Sequence, residues 1–308
     1  MPADLAILYE HPSWFEPLFA ALDRRGVAYS RLGLTDHSFD PAEGTPPAPV
    51  VLSRVAMSGF LREIEHGIFY AAALLDHWER SGAKILNGPR TIAIDSSKAR
   101  QLSLIAALGH AIPRTRIVHR ARDLPAAAEG MAFPLLVKAN IGGSGAGITR
   151  YASREELEQS LADGTIPDSV DKVLLLQDHV PARGGTITRI ETLGGRYLYA
   201  LEVESRPDSF DLCPADACLA RPGRAAISMR AVTPSPAMVR AAEQIAQAAG
   251  LDVGGVEFVI DDRDGAPRFY DINALSNFVA KPLEMLGWDP HERLVDYLES
   301  AIASRKQA

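Results

Sequence analysis

Lys138 stands at the end of an apolar run, and glycines follow it at 142, 143, 145 and 147 in the stretch FPLLVKANIGGSGAGITRY. Glycines let backbone N–H groups turn around an anion at close range. An ammonium beside them suits phosphate oxygens. The loop is neither a Walker A loop nor a dinucleotide fingerprint, because the lysine precedes the glycines and no Gly-Lys-Ser/Thr follows them. Taken alone, the same residues also describe a plain hairpin. A second group lies near the C-terminal end. Asp271 and Asn273 are two apart on an extended segment and share a face, with Glu257 on the segment before it. Three hard oxygen donors on one face suit Mg²⁺, which takes one or two carboxylates and leaves room for substrate phosphates. A solvated acidic face is the alternative. The turn between the segments decides the pairing. A two-residue loop at Asp264-Gly265 would set Glu257 opposite Ile272, on the wrong face. A three-residue loop, Arg263-Asp264-Gly265 with Gly265 left-handed, sets Glu257 opposite Asp271 and is the turn expected.

Other residues are weaker signals. LLLQDHV ends a buried strand in Gln177, Asp178, His179 and Val180, whose backbone can meet the edge of a base; a strand running into a loop looks the same. Arg189, and Lys98 one turn into a serine-capped helix, each read on their own as a solvated surface charge. Arg54 ends the strand VVLSRV, and Arg206 and Arg221 flank an irregular stretch over 207–223. An arginine fork suits a carboxylate. Glu202 and Glu204 share one strand face that could meet an amine. Cys213 and Cys218 bracket PADA and make only half a zinc site; they are small loop residues or a redox pair.

The elements that must carry these residues follow from periodicity. DLAILYE, VAYSRLGL, VVLSRV and AKILN read as strands, and the amphipathic stretches SWFEPLFAALDRRG and GIFYAAALLDHWERSG alternate with them. That pattern predicts a parallel, Rossmann-like sheet over residues 1–87. Further on, Gly194-Gly195 marks a hairpin, SPAMVRAAEQIAQAAG a capped helix, and a helix closes the chain. The chain has 308 residues, 47% hydrophobic and 23% charged, the composition of a soluble protein of more than one domain. A net charge of -7 argues against a nucleic-acid partner bound by phosphate neutralisation. The N-terminus lacks the features of a secretory signal, and no apolar run has membrane-spanning length. The expectation is a cytoplasmic protein with no membrane partner.

An early lysine, Lys138 with its glycine loop, the Gln-Asp-His-Val strand end, an arginine, then Glu257 with Asp271-x-Asn273: this order resembles the ATP-grasp superfamily. It is most similar to the RimK-type carboxylate–amine ligases, and the segment ILNGP…DSSKARQLSLIAALGHAIPRT fits their approach to the first lysine. The resemblance covers residues 84–300, with residues 1–83 matching only a general strand–helix pattern. It implies an α/β fold: a Rossmann-like (pre-ATP-grasp) domain over 1–87, then a two-lobed ATP-grasp fold with a lid subdomain over 88–180 and a large subdomain with the metal site over 181–308. By resemblance, Lys98 and Lys138 bind ATP phosphates, and the Gly142–Gly147 loop, Ser144 included, folds over them. Gln177, Asp178, His179 and Val180 hold adenine. Arg189 faces the γ-phosphate and acts with Lys138 in catalysis. Glu257, Asp271 and Asn273 hold two Mg²⁺ ions, for which Mn²⁺ can substitute. The implied reaction joins a carboxylate and an amine of amino acids or peptides through an acyl phosphate, with Arg54, Arg206, Glu202 and Glu204 as substrate candidates and a homodimer or homotetramer as the assembly. Departures fall mostly at the substrate end. Ile187 stands where the family often has an acid, Glu257 and Asp271 exchange the two acid types, the paired arginines after the first hairpin are missing, and Cys213 replaces an asparagine. The family's glutamate specificity is therefore not carried over. A phosphotransferase acting on a small-molecule hydroxyl and a non-catalytic nucleotide-binding protein are the alternatives.

Overall fold

The strands in the first third of the chain form a sheet whose two central members, LAILY and VVLSR, are buried on both faces, the usual state of parallel strands, while the two outer ones are only partly buried. β1 (Leu5–Tyr9), β2 (Tyr29–Gly33), β3 (Val50–Arg54) and β4 (Lys84–Leu86) pair in parallel in the order β2-β1-β3-β4. Helix α1 (Glu16–Arg24) covers one face and α2 (Ile68–Arg80) the other. This computed structural model describes residues 3–35, 37–62, 66–143, 145–204, 228–279 and 281–307. Ser144, Arg206, Cys213, Cys218 and Arg221 lie outside them.

Helices α3 (Pro89–Asp95) and α4 (Lys98–Ala107) follow, and Ser97 caps α4 by accepting from the Arg100 N–H. A four-stranded antiparallel sheet comes next, β5 (Thr115–Val118), β6 (Leu135–Ala139), β7 (Ile148–Tyr151) and β8 (Leu174–Asp178), in the order β5-β8-β6-β7. Helices α5 (Leu124–Ala127) and α6 (Arg154–Ala162) form its apolar layer through Leu124 and Leu157. The glycine-rich stretch is the β6–β7 hairpin, with Lys138 opposite Ile148.

The third sheet is antiparallel and five-stranded: β9 (Thr186–Leu193), β10 (Arg196–Glu204), β11 (Met229–Val232), β12 (Val253–Ile260) and β13 (Pro267–Asn273), in the order β11-β10-β9-β12-β13. Gly194 and Gly195, both at positive φ, make the β9–β10 turn as expected. Helix α7 (Pro236–Ala249) and α4 pack on one face through Ile245 and Ile105. The other face shares a core with β1, β3, α1 and the closing helix α9 (Pro290–Gln307), which follows the short α8 (Pro282–Leu286). Asn87 ties the end of the parallel sheet to this one. Its amide donates to the carbonyls of Val253 and Ala274 at 2.7 and 2.8 Å and accepts from the N–H groups of Asp252 and Val253.

The β12–β13 connection differs from the expected three-residue turn. The Asp261 N–H meets the Ala266 carbonyl, so the loop holds four residues, 262–265, with Gly265 at φ +75°. Pairing starts one step out of register, Ile260 opposite Pro267, and a bulge at Tyr270 restores it, so Glu257 still lies opposite Asp271. A bulge inserts one residue and re-aims its side chain. No helix among the described residues is long and apolar enough to cross a membrane.

Candidate active site

The three sheets meet around one pocket. Its floor is the β9–β12–β13 surface, its roof the β6–β7 hairpin, and its far wall the 3-10 turn Met57–Leu61 after β3. Strand alternation delivers Arg189 from β9, Glu257 from β12, and Asp271 and Asn273 from β13 to the same face. These groups touch. The Asn273 amide donates to Glu257 Oε1 at 3.1 Å and to Asp271 Oδ2 at 3.2 Å, which brings both carboxylates to one point. Tyr270, turned inward by the bulge, donates its hydroxyl to Glu257 Oε2 at 3.0 Å. Burial, and Asp271 beside it, push the Glu257 carboxyl above the usual carboxylate range. Two carboxylates and an amide oxygen fit a hard divalent cation that leaves positions for phosphate. An amide turned over would present Oδ1 to that cation instead of Nδ2.

Both lysines line the pocket. Lys98 donates to Asp271 Oδ1 at 2.6 Å; burial opposes its charge, but Asp271 and Glu257 hold it above the usual lysine range. Lys138 is 8% exposed, 5.5 Å from the centre of the Tyr270 ring. Burial, with the Lys98 ammonium behind it, pushes Lys138 down to about 8. A buried ammonium pushed down in this way gains from any anion that enters.

Gly142, Gly143 and Gly145 line the pocket, whereas Gly147 does not. Gly147 sits at φ +73°, with its carbonyl bound to the Ala139 N–H at 2.7 Å. The loop rests against the N-terminal sheet's far wall: a Cβ on Gly143 would lie 2.9 Å from Ser58 Cβ. Gln177, Asp178, His179 and Val180 form another part of the wall, near Leu136 and Ile148. The Gln177 amide reaches Thr115 Oγ1 at 2.9 Å, and the N–H groups of Asp178 and His179 are taken by the carbonyls of Arg114 and Pro134.

The substrate candidates fare differently. Glu202 and Glu204 do not line the pocket. Leu201, not Glu202, lies opposite Arg189, so both glutamates occupy the other face of β10, where Glu202 accepts from Arg230 of β11. Sharing a face was right; the face is the wrong one. Arg54 is 2% exposed and donates to the Ser276 carbonyl beneath the site, outside the lining. Arg206 is outside the described residues.

Several lining or supporting residues carried no motif signal. Tyr270 has the wrong strand parity until the bulge is known. Asp95 at the end of α3 accepts from the Ala274 N–H at 3.2 Å, and burial pushes it up to about 7. Gln101 accepts from the Ile272 N–H and donates to the Ile272 carbonyl, both at 3.0 Å, clamping β13 between its two polar residues. Glu191 meets Arg189 Nε at 2.5 Å. That partner was visible in principle, two residues along the same strand face.

The architecture matches solved ATP-grasp proteins over nearly its full length. A RimK domain protein of the ATP-grasp type from Sphaerobacter thermophilus DSM 20745 superimposes with a TM-score of 0.71 at 18% identity, covering 96% of this chain and 99% of that one. The ATP-grasp ligase PsnB, complexed with a phosphomimetic variant of a minimal precursor, Mg and ADP, gives 0.70 at 15% identity, covering 99% of each chain. The fold is that of the ATP-grasp class. Residues 95–298 match the model of the RimK-like ATP-grasp domain, and the chain belongs to that family. Among curated relatives, a probable alpha-L-glutamate ligase of Stutzerimonas stutzeri (strain A1501) is 27% identical over 232 residues, 75% of this chain and 72% of its own length. The protein is an ATP-dependent ligase that forms an amide C–N bond.

Proposed function

We propose that this ligase activates a substrate carboxylate as an acyl phosphate and transfers the acyl group to an amine of an amino acid or peptide. One observation carries the reading. Lys98, Lys138 and Arg189 converge with Glu257, Asp271 and Asn273 in a single pocket closed by a glycine hairpin. Phosphoryl transfer needs positioning and charge neutralisation more than covalent help. In this assignment the Val180 N–H and the carbonyls near it meet the adenine edge, between Leu136 and Ile148. The two lysines hold the phosphates, and Arg189 faces the γ-phosphate. Glu257, Asp271 and Asn273 would hold Mg²⁺, two ions by family analogy, with Mn²⁺ as a substitute. Bound there, the metal would supply neutralisation of phosphate charge.

A carboxylate oxygen of the substrate attacks the γ-phosphorus in line, and ADP leaves. The amine nitrogen then bonds the acyl carbon, phosphate departs with that oxygen, and one proton is released. The glycine hairpin against Ser58 keeps water from the acyl phosphate. A second cavity of about 390 Å³ shares Trp14 and Asn277 with the nucleotide pocket and is lined further by Val279, Pro282 and Leu283. That size suits a small ligand, and this space would admit the amine substrate. A glutamate side chain is not assigned to it. The division of the chain at 1–87, 88–180 and 181–308, with a Rossmann-like first part, rests on one sheet in each.

The test is ADP release with Mg²⁺ and ATP over amino acids and dipeptides, singly and in pairs, with Lys138→Ala as control. Release that requires both a carboxylate and an amine, and is lost in the control, is the expected result. A stable phosphorylated product formed without an amine would overturn it.

A further inference from the structure

The acid that the family often places two residues before Arg189 is Ile187 in this chain. An acid stands instead two residues after it. Ile187, Arg189 and Glu191 alternate onto one face of β9, and Glu191 is fully buried there. Arg189 Nε donates to Glu191 Oε1 at 2.5 Å, whereas Nη1 makes only a 3.3 Å contact with Glu257 Oε1. Gly255, opposite Glu191 on β12, makes room for this contact: a Cβ there would lie 2.8 Å from Arg189 Nε.

The second oxygen of Glu191 is buried and has no hydrogen-bond partner among the described residues. Burial pushes the Arg54 guanidinium, which comes from β3 of the other sheet, down to about 10, and the Glu191 carboxylate opposes that shift. Arg54 gives Nη2 to the Ser276 carbonyl, while its Nε and Nη1 are buried with no partner among the described residues. A buried charge is tolerated only beside an opposite one. Arg54 is thus a second buried cation on the Glu191 side of the seam between the sheets.

We propose that Glu191, backed by Arg54, is the positioning residue for Arg189. It holds Nε at all times and leaves the terminal nitrogens to face the pocket. The longer contact to Glu257 is the exchangeable one; Glu257 would help to hold a cation, and Nη1 would then be left to face the γ-phosphate. The proposal rests on the reading that Arg189 faces that phosphate.

The test compares steady-state kinetics of Glu191→Gln, Arg54→Met, Arg189→Met and the double variant Glu191→Gln/Arg189→Met, all checked by thermal denaturation. Removing Arg189 should lower kcat roughly 100-fold or more, the range for lost transition-state donors. Glu191→Gln should lower kcat by about 30-fold with the KM for ATP moved less than about 3-fold, because the loss falls on the transition state. In the Arg189→Met background the same change should alter kcat less than about 2-fold, since residues acting as a unit are non-additive. Arg54→Met, which touches neither Arg189 nor the pocket, should reproduce about a 10-fold loss of kcat and serves if Glu191→Gln fails to fold. Unchanged kcat in Glu191→Gln or Arg54→Met, or a full multiplicative loss in the double variant, would overturn the proposal. An unchanged kcat in Arg189→Met would instead overturn the reading of Arg189 on which it rests.

Discussion

Replacing Gln101 by leucine tests whether the metal-side carboxylates are held in place by a side chain that hydrogen-bonds only to the backbone between and behind them. Gln101 is 1% exposed. Its amide makes two hydrogen bonds to Ile272 and a third, at 3.2 Å, to the Asp95 carbonyl. Ile272 lies between Asp271 and Asn273 on β13, the edge strand of its sheet, so no neighbouring strand can take over those bonds. Leucine keeps the bulk and leaves one N–H and two carbonyls unpaired in a dry place. At about 1 kcal/mol for each bond, the loss is roughly 3 kcal/mol of stability. That is a large part of the 5–15 kcal/mol typical of a domain. Freed from the clamp, β13 shifts its two polar residues, and Mg²⁺ tolerates little departure from octahedral geometry. Loss of such outer support costs about 10–100-fold in metal affinity. Denaturant unfolding without metal measures the first effect, and a Mg²⁺ titration of ADP formation the second. Gln101→Leu with an unchanged midpoint and an unchanged Mg²⁺ half-saturation would refute the reasoning.

Tyr270→Phe removes the hydroxyl bound to a buried carboxylate, and should raise the Mg²⁺ half-saturation by roughly 3- to 10-fold, as expected for a bond of about 1 kcal/mol or slightly more. The same titration reads it. The Lys138 ammonium, pushed down to about 8, is charged below that pH and neutral above it, so the KM for ATP should climb as pH rises through this value. A flat profile in Lys138→Met across the same range checks the assignment. Gly147→Ala must place a Cβ 2.7 Å from Ala139 Cβ at a left-handed φ, and should cost at least 1–2 kcal/mol and loosen the hairpin, read as faster ATP hydrolysis without amine. Glu202→Gln and Glu204→Gln, on the far face of β10, should leave both substrate KM values within about 2-fold, the behaviour of surface changes away from a site.

Much of this molecule was readable from local pattern. Alternation of apolar strands and amphipathic helices predicted a parallel sheet for β1 to β4, though not the order of its strands, because each crossover helix must cover the sheet it leaves. Gly194-Gly195 marked its turn, since only glycine takes positive φ twice in a row without strain. Asp271 and Asn273 shared a face by the period of a strand, and so did Glu202 and Glu204. Two-fold periodicity says which residues travel together. It does not say toward which layer they travel. The packing of α7 on one side of the β9–β13 sheet and of the parallel sheet on the other decided that, sending Arg189 to the pocket and Glu202 away from it. The four-residue turn and the bulge at Tyr270 were equally out of reach: each alone would misplace Glu257, and only the two together bring it opposite Asp271. Arg54 and Glu191 are 137 residues apart in the chain (191 − 54) and belong to different sheets. Their charges matter to each other because both are buried in the same low-dielectric seam, and that seam exists only once the sheets have packed.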